Sequence, residues 1–152
     1  MIVAIFANMK NDNKYISHIR RGVDGAIEAF QDNDAHCSGV AELAKRFASE
    51  FGMGDLGYII GLYHDKGKES TQFQEYIQDV NGIPGHKRYT STGKSHAFVG
   101  GLMIKRLFRS LSPLLCNPVM GHHRGLYDYL DLEEEERKVM PPEIGIPTCH
   151  TK

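Results

Sequence analysis

Cysteine is scarce in this sequence and unpaired. Cys37, Cys116 and Cys149 are an odd, scattered set with no Cys-x-x-Cys spacing. That excludes a disulfide framework and a thiolate zinc site, and it points to reduced thiols in a cytoplasmic setting. Long apolar runs are missing too: no stretch reaches the roughly eighteen residues needed to span a bilayer, so no membrane partner is expected. The opening MIVAIFA is apolar but short and lacks a basic flank, so it does not read as a secretory signal. Charge of one sign is not in excess. The net value of −1 gives no global footprint of a strong nucleic-acid binder. Internal repeats, low-complexity tracts and Pro/Gly-rich linkers are absent, so residues 1–152 read as a single domain. At 41% hydrophobic content it has enough apolar material for a sizeable core. Histidine is what the chain has in quantity: eight of them.

Strand signals are few. Ile2 to Ala7 and Lys14 to Ile19 are short candidates by their β-branched and aromatic content. Helical spacing dominates elsewhere. From Asp34 to Phe51 a stripe of His36, Val40, Leu43, Phe47 and Phe51 predicts a helix ended by Gly52 and Gly54. Leu56 to Asp65 reads as a second helix. Thr71 followed by Gln74 resembles a capping box opening a third, with Phe73, Tyr76, Ile77 and Val80. Asn81 to Gly93 reads as a loop. Ser95 to Leu111 gives the clearest helix, with His96, Gly100, Met103, Leu107 and Leu111 on one face. Pro113 suits a first helical position after Ser112; that helix should be kinked or interrupted near Pro118 and end near Gly125. Leu132 to Val139 reads as a charged helix, with Glu133/Arg137 and Glu134/Lys138 spaced for pairing. The class is therefore all-α, a helical bundle with at most short N-terminal strands.

Taken alone, His36 and His96 read as core-facing imidazoles satisfied by hydrogen bonds. His64-Asp65 and His122-His123 differ. Neighbouring helical residues point about 100° apart, so both members of a pair reach one point only near a helix end, which Gly67 and Gly125 could supply. Together, His36, His64, Asp65, His96, His122 and His123 make six ligand-type side chains without a thiolate. Imidazole and carboxylate donors suit one or two divalent ions such as Mn, Fe, Co, Ni or Zn. A carboxylate can bridge two cations, and such a pair can clamp both reacting oxygens of a phosphodiester.

The order His36, His64-Asp65, His96, His122-His123 resembles the HD superfamily of metal-dependent phosphohydrolases. The surrounding strings HCSGVAELAKRFASEFG, GLYHDKGKESTQFQEYI, KSHAFVGG and MGHHRG are similar to the HD nuclease domain of type I CRISPR interference. YISHIRRGVDGAIEAF resembles that family's N-terminal lead-in, and the likeness runs from about Tyr15 to Gly125. It implies an endonuclease cutting the single-stranded DNA displaced by guide RNA. The partners implied are a superfamily 2 helicase and a guide-RNA surveillance complex. Asp65 would be the bridging ligand, His36 and His64 would join it on a first metal, and His96, His122 and His123 would complete the second. Lys68 matches the signature lysine and would touch the scissile phosphate; a solvated lysine after a helix is the other reading.

The chain departs from that pattern at its end. The family carries a further aspartate on a later helix, and Asp128 and Asp131 follow His123 too closely to fill that role well. The chain thus reads as a fragment or short variant with a weak first metal site. No Gly-x-x-x-x-Gly-Lys-Ser/Thr loop is present, so no helicase domain is expected. The loop HKRYTSTGK brings Lys87, Arg88, Tyr89 and Lys94 just ahead of His96, and Arg124 follows His123; these could guide a strand or be ordinary solvated groups. His86 could contact substrate, while His18 and His150 have no helical stripe or neighbouring ligand to recommend them. An HD phosphohydrolase acting on nucleotides is the alternative enzyme. An inactive metal-holding docking module for a helicase or CRISPR complex is the non-enzymatic alternative.

Overall fold

The strand expected from Lys14 to Ile19 forms as β1 (Ile16–Arg21), and it pairs antiparallel with β2 (Ile27–Asp32), which the sequence did not announce. The computed structural model describes residues 15–85, 96–128, 130–132 and 134, so the Ile2 to Ala7 candidate lies outside the described residues. His18 stands opposite Gln31 in the ladder. Among the described residues five helices with defined bounds follow: α1 (Asn33–Ser49), α2 (Gly54–Tyr63), α3 (Thr71–Val80), α4 (His96–Phe108) and α5 (Ser112–Gly121). The protein is mostly helical with two short N-terminal strands, as expected. Among the described residues no helix is long and apolar enough to cross a membrane.

The first helix begins where β2 stops, because Asp32 accepts from Ala35 N at 3.0 Å and serves as its N-cap. Gly54, expected to help end it, opens α2 instead. The two helices pack through small residues. A Cβ on Gly57 would stand 2.6 Å from Ala44 O, and one on Gly61 would stand 2.6 Å from Ala41 Cα. This close approach turns α1 away from its large apolar stripe: Cys37 and Ala41 are buried, while Phe47 is 66% and Phe51 79% exposed, with Leu43 also exposed. The same correction holds on α4, where Ala97, Phe98, Gly100, Gly101 and Ile104 are buried and Met103, Leu107 and Leu111 are exposed. Counting large residues selects the wrong face when backbones meet through glycine and alanine.

The second helix stops at Tyr63, earlier than expected. His64 takes its C-cap position, and Asp65 leads into a 3-10 turn over Lys66–Glu69. Gly67 in that turn lies against the backbone of His96, where a Cβ would collide with the carbonyl; only glycine lets the turn seat on α4. Ser70, rather than Thr71, caps α3, with Oγ accepting from Phe73 N at 3.3 Å. Gln74 is not the partner in a capping box. Its side-chain amide clasps both Ile16 N and Ile16 O at 2.9 Å and donates to Lys68 O at 2.7 Å, tying β1 to the turn.

The fourth helix ends at Phe108 in a 3-10 turn (Arg109–Leu111), and α5 carries Pro113 in its first turn as expected. It continues through Pro118 and stops at Gly121, four residues before Gly125, so of the expected kink or interruption the interruption is not seen. The core lies between α4 and α5, where Phe98, Ile104, Leu115, Cys116, Val119 and Met120 are buried. Leu56, Ile59, Ile60 and Tyr63 of α2 pack on them. Most of the charged helix expected from Leu132 to Val139 lies outside the described residues; Leu132 and Glu134 are helical.

Candidate metal centre

The helix ends just described converge on one side chain. Asp65 is 3% exposed, and its carboxylate meets imidazoles from four places in the chain. His36 Nε2 of α1 lies 3.1 Å from Oδ2, and His64 Nε2 at the end of α2 lies 3.2 Å from it. His96 Nε2, at the first residue of α4, lies 3.3 Å from Oδ1, and His122 Nε2, just past α5, lies 3.4 Å from it. His123 joins through His96, their Nε2 atoms 2.8 Å apart. All six predicted ligands therefore meet. His36, read alone as a satisfied core imidazole, is 3.1 Å from both His64 Nε2 and Asp65 Oδ2.

The fold sets which ring nitrogen faces inward. His64 Nδ1 donates to Gly61 O at 2.7 Å, and His122 Nδ1 donates to Val119 O at 2.6 Å. In the neutral rings both Nε2 atoms are then bare lone pairs aimed at the carboxylate, the outer-contact arrangement common to metal-ligating histidines. Asp65 Oδ1 and His122 Nε2 are buried with no hydrogen-bond partner. Two lone pairs 3.4 Å apart repel unless a cation lies between them. Donors spaced by about 3.0–3.4 Å also match the edges of a coordination shell with bonds near 2.1 Å. Among the described residues, Asp65, His96, His122 and His123 form one group able to hold an ion, and His18, His36 and Asp65 form another. The donor set fits a divalent metal.

The electrostatics agree. Burial alone would raise the Asp65 carboxyl, but the facing imidazoles of His122, His36, His64 and His96 overcome it and hold the group well below the usual carboxylate range. Burial lowers His122, yet the facing Asp65 carboxylate wins and raises it, so positive charge is drawn to this spot. His123 is lowered, by burial first and then by the neighbouring His122 and His96.

Lys68 is 4% exposed, and its ammonium lies 2.8 Å from Asp65 Oδ2 and 3.0 Å from His18 Nε2. His18, set aside on sequence grounds, is thus part of the site, its ring 4.6 Å from that of His36. No local pattern marks it, because its partner Lys68 is 50 residues away. Asn33 was also missed. Fully buried, it donates to Asp65 O at 3.3 Å and Glu69 Oε1 at 3.0 Å, holding the start of α1 to the His64-Asp65 corner. Asp128 Oδ1 accepts from Asp131 N at 2.9 Å, and neither aspartate belongs to the ligand groups among the described residues. Arg124 is exposed, its guanidinium 5.8 Å from the centre of the Tyr127 ring. His86, Lys87, Arg88, Tyr89, Lys94 and His150 lie outside the described residues.

The HD domain family matches residues 33–145, which covers the whole cluster of six ligands and most of the chain. No curated protein and no solved structure matches it significantly. HD domains bind divalent metals and are typically metal-dependent hydrolases, and this chain belongs to the HD domain family.

Proposed function

We propose that the chain is a metal-dependent phosphodiester hydrolase that cuts single-stranded DNA, acting with a superfamily 2 helicase and a guide-RNA surveillance complex in type I CRISPR interference. The observation that carries the hydrolase reading is the single buried carboxylate, Asp65, ringed by imidazoles from separate helix ends. The nuclease reading is supported by the strings HDKGK, SHA and GHH in this order and spacing. A divalent ion at the site supplies a Lewis acid that acidifies water and neutralises phosphate charge.

The residues divide the remaining work. Asp65, His36, His64, His96, His122 and His123 would hold the metal, with Gly61 O and Val119 O fixing two of the rings. Asp65, deep in the site, supplies the negative charge that anchors a cation; His123, exposed, opens the site to substrate. Arg124, beside it, would meet the phosphate backbone, and Lys87, Arg88 and Lys94, which precede His96 in sequence, would share that role.

The test is cleavage of linear and circular single-stranded DNA with Mn, Co, Ni or Fe(II). Wild type should cut, and Asp65→Ala and His123→Ala should lose at least 100-fold, roughly the loss seen when ligand or orienting groups are removed. Equal cleavage by wild type and both variants would sink the proposal. Turnover of mononucleotides without DNA cleavage would identify the nucleotide phosphohydrolase instead. A metal-loaded protein inert on both would identify a docking module.

A further inference from the structure

The large apolar side chains at the far end of α1 are not used inside the molecule. Leu43 and Phe47 on the helix, and Phe51 and Met53 on the turn into α2, are all exposed. Single exposed leucines are ordinary on a protein surface, but four apolar neighbours with two phenylalanines among them make a patch that marks an interaction site. The packing described above is its cause. Cys37 and Ala41 take the buried side of α1, where Gly57 and Gly61 bring α2 close, so the larger residues are left on the next ridge around the helix.

The charges beside this ridge are balanced and unpaired. At 3.6 residues per turn, Arg46, Glu50, Leu43 and Phe47 fall in that order within an arc of about 100°. Arg46 and Glu50 are exposed, and among the described residues neither side chain has an ion-pair or hydrogen-bond partner. Four residues apart with the arginine first, they stand in the weaker order for pairing within one helix. Glu42 and Glu50 border the ridge, so a phosphate backbone laid along it would meet repulsion. A protein surface fits better. It must be apolar at its centre and must offer a carboxylate to Arg46 and a cation to Glu50, one helical turn apart.

We propose that a second copy of this chain covers the ridge, with α1 antiparallel to α1 about a two-fold axis level with Ala48. The two four-residue steps carry this choice. Arg46 to Glu50 and Phe47 to Phe51 are centred at nearly the same level, so one rotation sets each Arg46 against Glu50 of the second copy and each Phe47 against its Phe51. Such an isologous contact satisfies both charges twice and buries both aromatic pairs. His36 lies twelve residues from Ala48, about 18 Å along the helix. The pair therefore carries its two metal centres towards opposite ends. Pairing needs no metal and adds no ligand, and the inference stands apart from the hydrolase reading.

The test is mass in solution, measured by light scattering across a dilution series. Wild type approaches twice its 17.1 kDa chain mass when concentrated and returns to the chain mass on dilution. Phe47→Glu, Arg46→Glu and Glu50→Arg each stay at the chain mass, with circular dichroism unchanged to show that they fold. Mixed in equal amounts, Arg46→Glu and Glu50→Arg form a dimer again, because opposite charges then meet at both contacts. Both substitutions in one chain restore it likewise. A wild type at the chain mass up to its solubility limit overturns the proposal, whatever other protein the ridge binds. So does a dimer of folded Phe47→Glu, a dimer of either charge variant alone, or charge variants that stay apart when mixed. Mn(II) binding, followed on the same samples, tests the hydrolase reading separately.

Discussion

At the scale of single residues, burial decides which groups are reactive. Cys37 follows His36, whose ring faces Asp65, and is fully buried. Burial, helped by the Asp65 charge, pushes its thiol up to about 11. The thiolate is the nucleophile, so almost none is present near neutral pH and no path leads a reagent to it. Peptide mapping after iodoacetamide at pH 8 should find Cys37 unmodified in the folded protein and fully modified in denaturant. Rapid modification of the native form would show that α1 opens, or sits elsewhere. The pH sign follows from the same shift: the native state keeps the proton longer, so stability is complete below the unfolded thiol value, near 8.5, and falls as pH rises toward 11.

At the scale of elements, small residues set the geometry that the large ones suggested wrongly. The helices themselves were legible, because their period survives in the sequence whichever face is buried; α1 and α4 both form close to their expected positions. Their buried faces were not, since the stripe through Phe47 and Phe51 outranks Cys37 and Ala41 in hydrophobicity although the second set makes the contact. Two glycine substitutions separate propensity from packing. Gly39 lies on the exposed side of α1 with nothing near its would-be Cβ, so Gly39→Ala should stabilise by about 0.5–1 kcal/mol through helix propensity alone. Gly61→Ala gains the same but drives a methyl into the Ala41 backbone, and overpacking of about 1–3 kcal/mol should win. Urea denaturation reads both. Stabilisation by both substitutions would mean that α1 and α2 are not in backbone contact.

At the scale of the whole molecule, the site is the place where separate elements meet. Its ligands come from α1, the end of α2, the start of α4 and the end of α5. Paired polar residues at helix ends made His64-Asp65 and His122-His123 legible, and His36 and His96 joined them as histidines on helical stripes. His18 and Asn33 were not, because a lone polar residue acquires its partner only through strand pairing or long-range packing. This convergence has a thermodynamic consequence. An ion held by all of these elements binds only the folded chain, so it stabilises by about 2.7 kcal/mol at a hundredfold excess over Kd. For a domain near this size each kcal/mol moves Tm by about 2–4 °C, so saturating Mn(II) or Co(II) should raise Tm by roughly 5–10 °C. EDTA should reverse the rise. Asp65→Ala should abolish it, because the carboxylate is the one ligand common to both groups able to hold an ion among the described residues. Leu115→Ala, deep in the α4–α5 core, should instead lower Tm with and without metal by similar amounts, corresponding to about 2–5 kcal/mol. A metal-induced rise that survives Asp65→Ala would place the stabilising ion somewhere other than this centre.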